Sequence, residues 1–429
     1  MKFFVETYGC QMNVSDSELI TSILLSAEFQ AVDSIDDADV IIFNTCSVRQ
    51  HAEDRVLGRI SNEKKRKTTN PKLKIGVVGC MAQRIGQDLV TNNAGIDFAV
   101  GVDQYAKLPE IIMSKYGGNV SLDMDSSEVY SHLQPVHKND TCGFVTIMRG
   151  CDNFCTYCIV PYVRGRERSR PAEDIYLDVK NAATAGLKDI TLLGQNVNSY
   201  NYQDITFAGL MKEISQIDSI ERLRFITSHP KDLSDELIEV MASSSKICKH
   251  IHLPMQSGDN DVLRIMNRKY TVDHYMGLIS KLRAAMPEIA ITTDLIAGFP
   301  GETDDMFHNT LSVMNEIVFD YSFCFKYSNR SGTKASDFAD QVPEEVRLMR
   351  LQKMIDLQRI HTLAKFRAQI GKQVSIYVES LSKKSTDQVS GKTEDYKIAV
   401  VDGKPDQIGT LVRAIVTDAT SGTLICRPI

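Results

Sequence analysis

No apolar run in this 429-residue chain approaches the roughly 18–20 residues that a membrane span needs, which argues against a transmembrane protein. Cysteine is too sparse for a disulfide scaffold: there are ten, and a cytosol would keep them reduced. Positive charge is not in excess either. Lys and Arg number 49 against 55 Asp and Glu, a net charge of -6. No global field attracts nucleic acid, so any RNA contact must use local basic patches. Low-complexity tracts are absent. The opening MKFFVETYGC carries one Lys and a short β-like run, unlike a signal peptide, so the expected location is cytoplasmic with no membrane partner.

What is present is a globular composition, 43% hydrophobic and 24% charged, long enough for two or three domains. The patterning divides the chain at 1–116, 137–368 and 369–429. In the first segment KFFVETYG, DVIIFNT and KIGVVG are β-rich. SDSELITSILLSAEF and AEDRVLGRISNEKKRK have apolar residues at helical spacing, with Ser15 and Asp16 as expected N-cap chemistry. This predicts a parallel α/β layer.

Each of those three strands ends in cysteine: Cys10, Cys46 and Cys80. Parallel strands place their carboxyl ends on one sheet edge, where open α/β sheets bind ligands, so the three thiols are expected to converge.

The second segment repeats a strand-then-helix rhythm about six times, through GFVTIMRG, DITLLGQN, LRFITSH, HIHLPMQS, AITTDLIAGFP and YSFCFKYS. This predicts a partial (β/α)6 barrel with chemistry at the carboxyl strand ends. Gln195, Asn196, Ser228, His229, Gln256 and Ser257 would line one polar rim there. A long helix, PEEVRLMRLQKMIDLQRIHTLAKFRA, follows. The last segment, with KQVSIYVES, YKIAVVD and TLVRAIVTD, predicts a small antiparallel β-barrel.

Directly after the first barrel strand comes RGCDNFCTYCIVPYVRGRERSR, with Cys151, Cys155 and Cys158 at spacing C-x3-C-x2-C. Structural zinc normally takes four protein ligands in paired knuckles, and no second knuckle follows. Catalytic zinc with three thiolates remains open. So does an iron–sulfur cluster, which three thiolates would leave with one free iron.

This spacing and position closely resemble the radical S-adenosylmethionine (radical SAM) superfamily. TYGCQMN, NTCSVR, GCMAQR, LLGQNVNSY, TSHPKD, HLPMQSG and GFPGE extend the likeness to the methylthiotransferases over essentially the whole chain. The last segment resembles the TRAM domain, an RNA-binding module. YGCQMN departs from the LGCPKN of the ribosomal-protein branch and the LGCKVN of the threonylcarbamoyl-adenosine branch. It resembles the branch acting on N6-isopentenyladenosine in tRNA.

The resemblance implies conversion of that base, at position 37 beside the anticodon, to its 2-methylthio form with two S-adenosylmethionine molecules. It implies two 4Fe-4S clusters. Cys151, Cys155 and Cys158 would hold the cluster that cleaves S-adenosylmethionine, and Cys10, Cys46 and Cys80 the auxiliary one. Tyr157 matches a position near the adenine of the cofactor, and Gln195, Asn196, Ser228, Gln256 and Ser257 complete the expected cofactor rim. Partners would be tRNA, an electron donor and a sulfur or cluster supplier, the enzyme itself being a monomer. The rival readings are a methylthiotransferase for threonylcarbamoyl-adenosine or a ribosomal-protein aspartate, and a non-catalytic zinc-stabilised RNA-binding protein.

Arg164, Arg166, Arg168 and Arg170 alternate along VRGRERSR and suit phosphate recognition. In the last segment Lys383, Lys384, Lys392 and Lys397 are the RNA-binding candidates, although Glu394 and Asp395 oppose a strong phosphate clamp. His229, His250 and His252 are expected to be satisfied histidines near strands rather than metal ligands.

Overall fold

The computed structural model describes residues 1–47, 50–92, 95–114, 118–131, 133–137 and 141–429. Six parallel strands form the first sheet, in the order Gln30–Ala31, Lys2–Tyr8, Val40–Thr45, Lys74–Val78, Phe98–Val100 and Asn119–Ser121. Val40–Thr45 is buried at every position, as befits a parallel strand covered on both faces. Its period of two divides the core. Val40 and Ile42 join Ile20 and Leu24 on one side, while Ile41 and Phe43 join Val56 and Ile60 on the other.

The first helix, Gln11–Ser26, begins immediately after Cys10, which occupies the N-cap position. The sequence expectation that Ser15 and Asp16 cap it is therefore corrected: both lie inside the helix and are buried. The cause is Gly9, whose φ of +144° turns the chain sharply at the strand end. A side chain there would place its Cβ 2.6 Å from Cys46 Cβ.

The second unit is an open parallel barrel in two halves. Cys142–Thr146, Asp189–Leu193 and Arg222–Phe225 form one; His250–His252, Ala290–Ala297 and Tyr321–Lys326 form the other. A parallel bridge between Leu223 and Ile247 joins them, so the expected six-stranded partial barrel is present. Ile190, Leu192, Leu223, Ile251, Ile291 and Leu295 face outward into one large core beneath the helices. The helix Glu344–Arg367 packs against the last strand.

The third unit is a closed barrel of Gln373–Leu381, Gln388–Lys392, Ile398–Asp402, Leu424–Pro428 and Leu411–Ala419. Four seams are antiparallel; that between Ile398–Asp402 and Leu424–Pro428 is parallel. It docks at the amino ends of the partial-barrel strands. Arg222 donates to the Lys392 and Ser375 carbonyls at 2.6 Å each, Arg224 donates to the Thr393 carbonyl at 2.8 Å, and His250 stacks on Tyr396 at 4.9 Å. The first domain instead meets the carboxyl end, where Ser15 hydrogen-bonds Thr146 at 2.9 Å. No helix among the described residues is long and apolar enough to cross a membrane.

Candidate active site

Cys10, Cys46 and Cys80 follow three adjacent strands and share one sheet edge. The Cys46 amide donates to the Tyr8 carbonyl at 3.0 Å, tying two strand ends together. A buried amide pair reinforces this: Asn13 Nδ2 donates to Asn44 Oδ1 at 3.1 Å, and Asn44 Nδ2 to the Asn13 carbonyl at 2.8 Å. The Cys10 thiol is drawn down to about 6, chiefly by its hydrogen bond with Cys46 and further by the charge of Arg164. Cys80 is pushed up by burial, against which Arg164 Nε stands 3.2 Å from its sulfur. A guanidinium beside clustered thiols favours the thiolate, the form that ligates metal.

The second triplet lies in a loop held from several sides. Asn267 Nδ2 donates to the Phe154 carbonyl at 2.9 Å, and Thr156 N to the Met266 carbonyl at 3.0 Å. Phe154 sits at φ +44°, a left-handed conformation that those contacts hold. Asn153 Nδ2 donates to Cys151 Sγ, and buried Arg268 Nη1 to Cys155 Sγ, each at 3.4 Å. Burial pushes Cys158 up to about 12 and raises Cys151 as well, so these thiols need a strong cation to ionise. Both triplets are all-thiol donor sets with N–H groups aimed at sulfur, which fits iron–sulfur ligation. Among the described residues no three His, Cys, Asp or Glu groups are placed to hold a single metal ion.

At the rim, Gln195 Oε1 accepts from the Gly150 amide at 2.6 Å, linking the second strand end to the cysteine loop. Asn196 donates to Asp232 at 2.8 Å, while its buried Oδ1 and the buried Ser228 hydroxyl have no partner among the described residues. Unpaired polar atoms in such a place suit a polar ligand. Gln256, at φ +69°, continues the strand ladder by donating to the Asp294 carbonyl. Tyr157 packs beside Phe299, edge to face at 6.2 Å, against an apolar cluster. Ser257 is wholly buried and hydrogen-bonded to Thr310 at 3.3 Å. His229 Nδ1 accepts from the Lys231 amide at 3.2 Å, and burial pushes its pKa down to about 2.

The arginine run is corrected more sharply. Arg164 pairs with Asp16 at 2.7 Å, Arg168 with Asp103 at 3.0 Å and Arg170 with Asp178 at 2.9 Å; all three are buried and cannot reach RNA phosphates. Arg166 is the exception, exposed and paired with Asp152. Lys383 and Lys384 are exposed, whereas Lys397 is buried against Asp320 and Asp395, and Lys392 is paired with Glu379. Sequence reasoning missed Asp16, Arg149 and Arg268. Arg149 also pairs with Asp16, at 2.8 Å, so one carboxylate anchors two guanidinium groups across the domain interface. The only sequence signal was an Asp inside an otherwise apolar helix face, which looked like a cap.

A parallel half-barrel carrying a three-cysteine loop after its first strand defines the radical SAM class, which implies a 4Fe-4S cluster and S-adenosylmethionine. Residues 145–314 match the Radical SAM superfamily, 2–101 the uncharacterized protein family UPF0004 and 367–429 the TRAM domain. A radical S-adenosylmethionine methyltransferase, TsrM, from Kitasatospora setae has a similar fold (TM-score 0.59, 14% identity, 75% of this chain and 72% of that one). Proteins named tRNA-2-methylthio-N(6)-dimethylallyladenosine synthase are much nearer in sequence. That of Bacteroides thetaiotaomicron is 44% identical over 99% of this chain and 95% of its own, and that of Porphyromonas gingivalis is 42% identical over 99% and 94%. The chain belongs to the tRNA-2-methylthio-N(6)-dimethylallyladenosine synthase family.

Proposed function

We propose that this chain is a tRNA methylthiotransferase that places a methylthio group on C2 of N6-isopentenyladenosine at position 37, using two S-adenosylmethionine molecules. One observation carries the reading: two separate three-cysteine sites lie in different domains, and Asp16, Arg149 and Arg164 join those domains between them. C2 of adenine is an unactivated aromatic C–H, beyond the reach of ordinary acid–base or nucleophilic catalysis. When bound, the clusters and S-adenosylmethionine supply one-electron cleavage at one site and a sulfur carrier at the other.

The protein's part is placement. Cys151, Cys155 and Cys158 would hold the first cluster, with Asn153 and Arg268 donating to the thiolates. Cys10, Cys46 and Cys80 would hold the auxiliary cluster, with Arg164 donating to Cys80. Gln195, Asn196, Ser228 and Gln256 would orient the cofactor at the strand ends, beside Tyr157. Arg166, Lys383 and Lys384 would take RNA phosphates. The domains would divide at 1–116, 137–368 and 369–429. The enzyme would act as a cytoplasmic monomer, supplied by an electron donor and by a source of sulfur or clusters.

Anaerobically reconstituted protein should be brown and contain iron and sulfide. Given anticodon hairpins carrying isopentenyladenosine or threonylcarbamoyl-adenosine, or ribosomal protein, it should methylthiolate the first alone by mass spectrometry. Product on either other substrate would overturn the assigned substrate. Colourless, zinc-loaded protein under those conditions would overturn the radical reading.

A further inference from the structure

One short element touches both cysteine sites. Cys158, the last thiol of its loop, leads within two residues into the helix Val160–Arg164. Ile159 and Val163 from this stretch are buried in the same apolar cluster as Cys80, although Cys80 belongs to the first domain. The helix ends at Arg164, whose Nε lies 3.2 Å from Cys80 Sγ. A guanidinium from one domain is thus wedged against a candidate metal ligand of the other.

The charge there does not balance within the protein. Asp16 takes Arg164 at 2.7 Å and Arg149 at 2.8 Å, so two cations share one carboxylate, and all three side chains are buried. Arg164 Nη1 is also buried with no acceptor among the described residues. An excess buried cation with an unused N–H is costly unless an anion stands beside it. The group beside it is Cys80, one of three thiols sharing the sheet edge, and a set of thiolates would supply the missing negative charge.

Positive charge and N–H bonds at the ligating sulfurs stabilise the reduced, more negative form of an iron–sulfur cluster and so raise its reduction potential. Resting on the function proposed above, which puts the auxiliary cluster on Cys10, Cys46 and Cys80, we infer that Arg164 is a positioning residue for that cluster. It offsets the charge of the thiolates and raises the reduction potential of the site. The segment that follows one cysteine loop thereby sets the electronic state of the other.

The test uses the full-length chain with Cys151, Cys155 and Cys158 changed to Ala and reconstituted anaerobically, so that one cluster gives the signal. Its midpoint potential is read by redox titration, following the reduced form by electron paramagnetic resonance. Arg164→Gln should lower that potential by about 59 mV, a tenfold loss in the one-electron reduction equilibrium. Arg164→Lys keeps the charge but loses the fork, and should lower it less. Arg149→Gln breaks the same ion-pair set, but that guanidinium lies over the Tyr130 ring, 4.7 Å from its centre, rather than at a cysteine. It should lower the melting temperature while moving the potential far less. An unshifted potential in Arg164→Gln, or an equal shift in Arg149→Gln, would overturn the inference and leave the proposed function standing. If Arg164→Gln binds no iron, Arg164→Lys carries the reading, and an unlowered potential there overturns the inference equally. Absence of iron from this triplet with Arg164 intact would fail the proposed function, and the inference with it.

Discussion

Arg164 Nη2 lies 2.7 Å from Asp16 Oδ2, with both side chains buried. Through this pair the tail of one cysteine loop is fixed to the first helix of the other cysteine domain. The same guanidinium reaches Cys80 Sγ at 3.2 Å, and Arg149 shares the carboxylate. Coulombic attraction to the two arginines and hydrogen bonds from them outweigh burial, so Asp16 stays below the usual carboxylate range.

Asp16→Asn should strand two buried guanidinium groups without their counter-charge. Removing one partner of such a set costs about 3–5 kcal/mol. Thermal unfolding should fall accordingly, and limited proteolysis should cut faster at the junction between the first two domains. Stability equal to the parent would show that the pair does not hold the interface.

Changing Cys151, Cys155 and Cys158 to Ala should remove about one 4Fe-4S cluster's worth of iron and abolish 5′-deoxyadenosine formation. Changing Cys10, Cys46 and Cys80 to Ala should remove a similar amount of iron yet leave 5′-deoxyadenosine formation in place, without methylthio product. Iron content and both products, measured in one reaction, separate the two sites. Methylthio product from the second variant would make those cysteines structural.

Arg166 and Arg168 are two residues apart but should answer differently. Arg166→Gln removes an exposed cation and should lower the slope of log affinity for tRNA against log salt by about 0.7–0.9. Arg168→Gln should leave that slope unchanged and lower the melting temperature, because it leaves buried Asp103 without its ion pair. Salt titrations of tRNA binding and thermal melts check both outcomes.

His250 is buried and stacked on Tyr396; burial chiefly, then the charge of Arg224, holds its pKa well below the ordinary value. His252 and Lys397 add to that repulsion. The folded protein thus binds fewer protons here than the unfolded chain. This contribution is full above about pH 6.5 and is lost as pH falls below it, at up to about 1.4 kcal/mol per pH unit. His250→Gln should flatten the fall in melting temperature between about pH 6.5 and 5.5. An unchanged pH slope would contradict this.

The three-unit order and both cysteine triplets were readable from local pattern. Apolar runs of strand length ending in cysteine put Cys10, Cys46 and Cys80 on one edge, because parallel strands share a direction. The C-x3-C-x2-C spacing lies within a single loop and depends on nothing distant. The short strands Phe98–Val100 and Asn119–Ser121 were missed, since three residues carry too little periodicity to stand out.

Charge was the harder quantity. VRGRERSR looked like an RNA-facing run because a sequence shows which side chains are cationic, but not which carboxylates will meet them. Asp16 and Asp103 lie 148 and 65 residues from their arginine partners, and only folding brings them together. The exposed rings of Tyr321–Lys326 present the same case. Their alternation is local, but which face the helices cover is set by closure of the barrel. The sequence alone determined which thiols are grouped and the strand ends that carry them, since both are short-range properties of the chain. Tertiary structure decided which cations are internal ties, which stay exposed and which face is left open, because burial and long-range pairing exist only once the domains have docked.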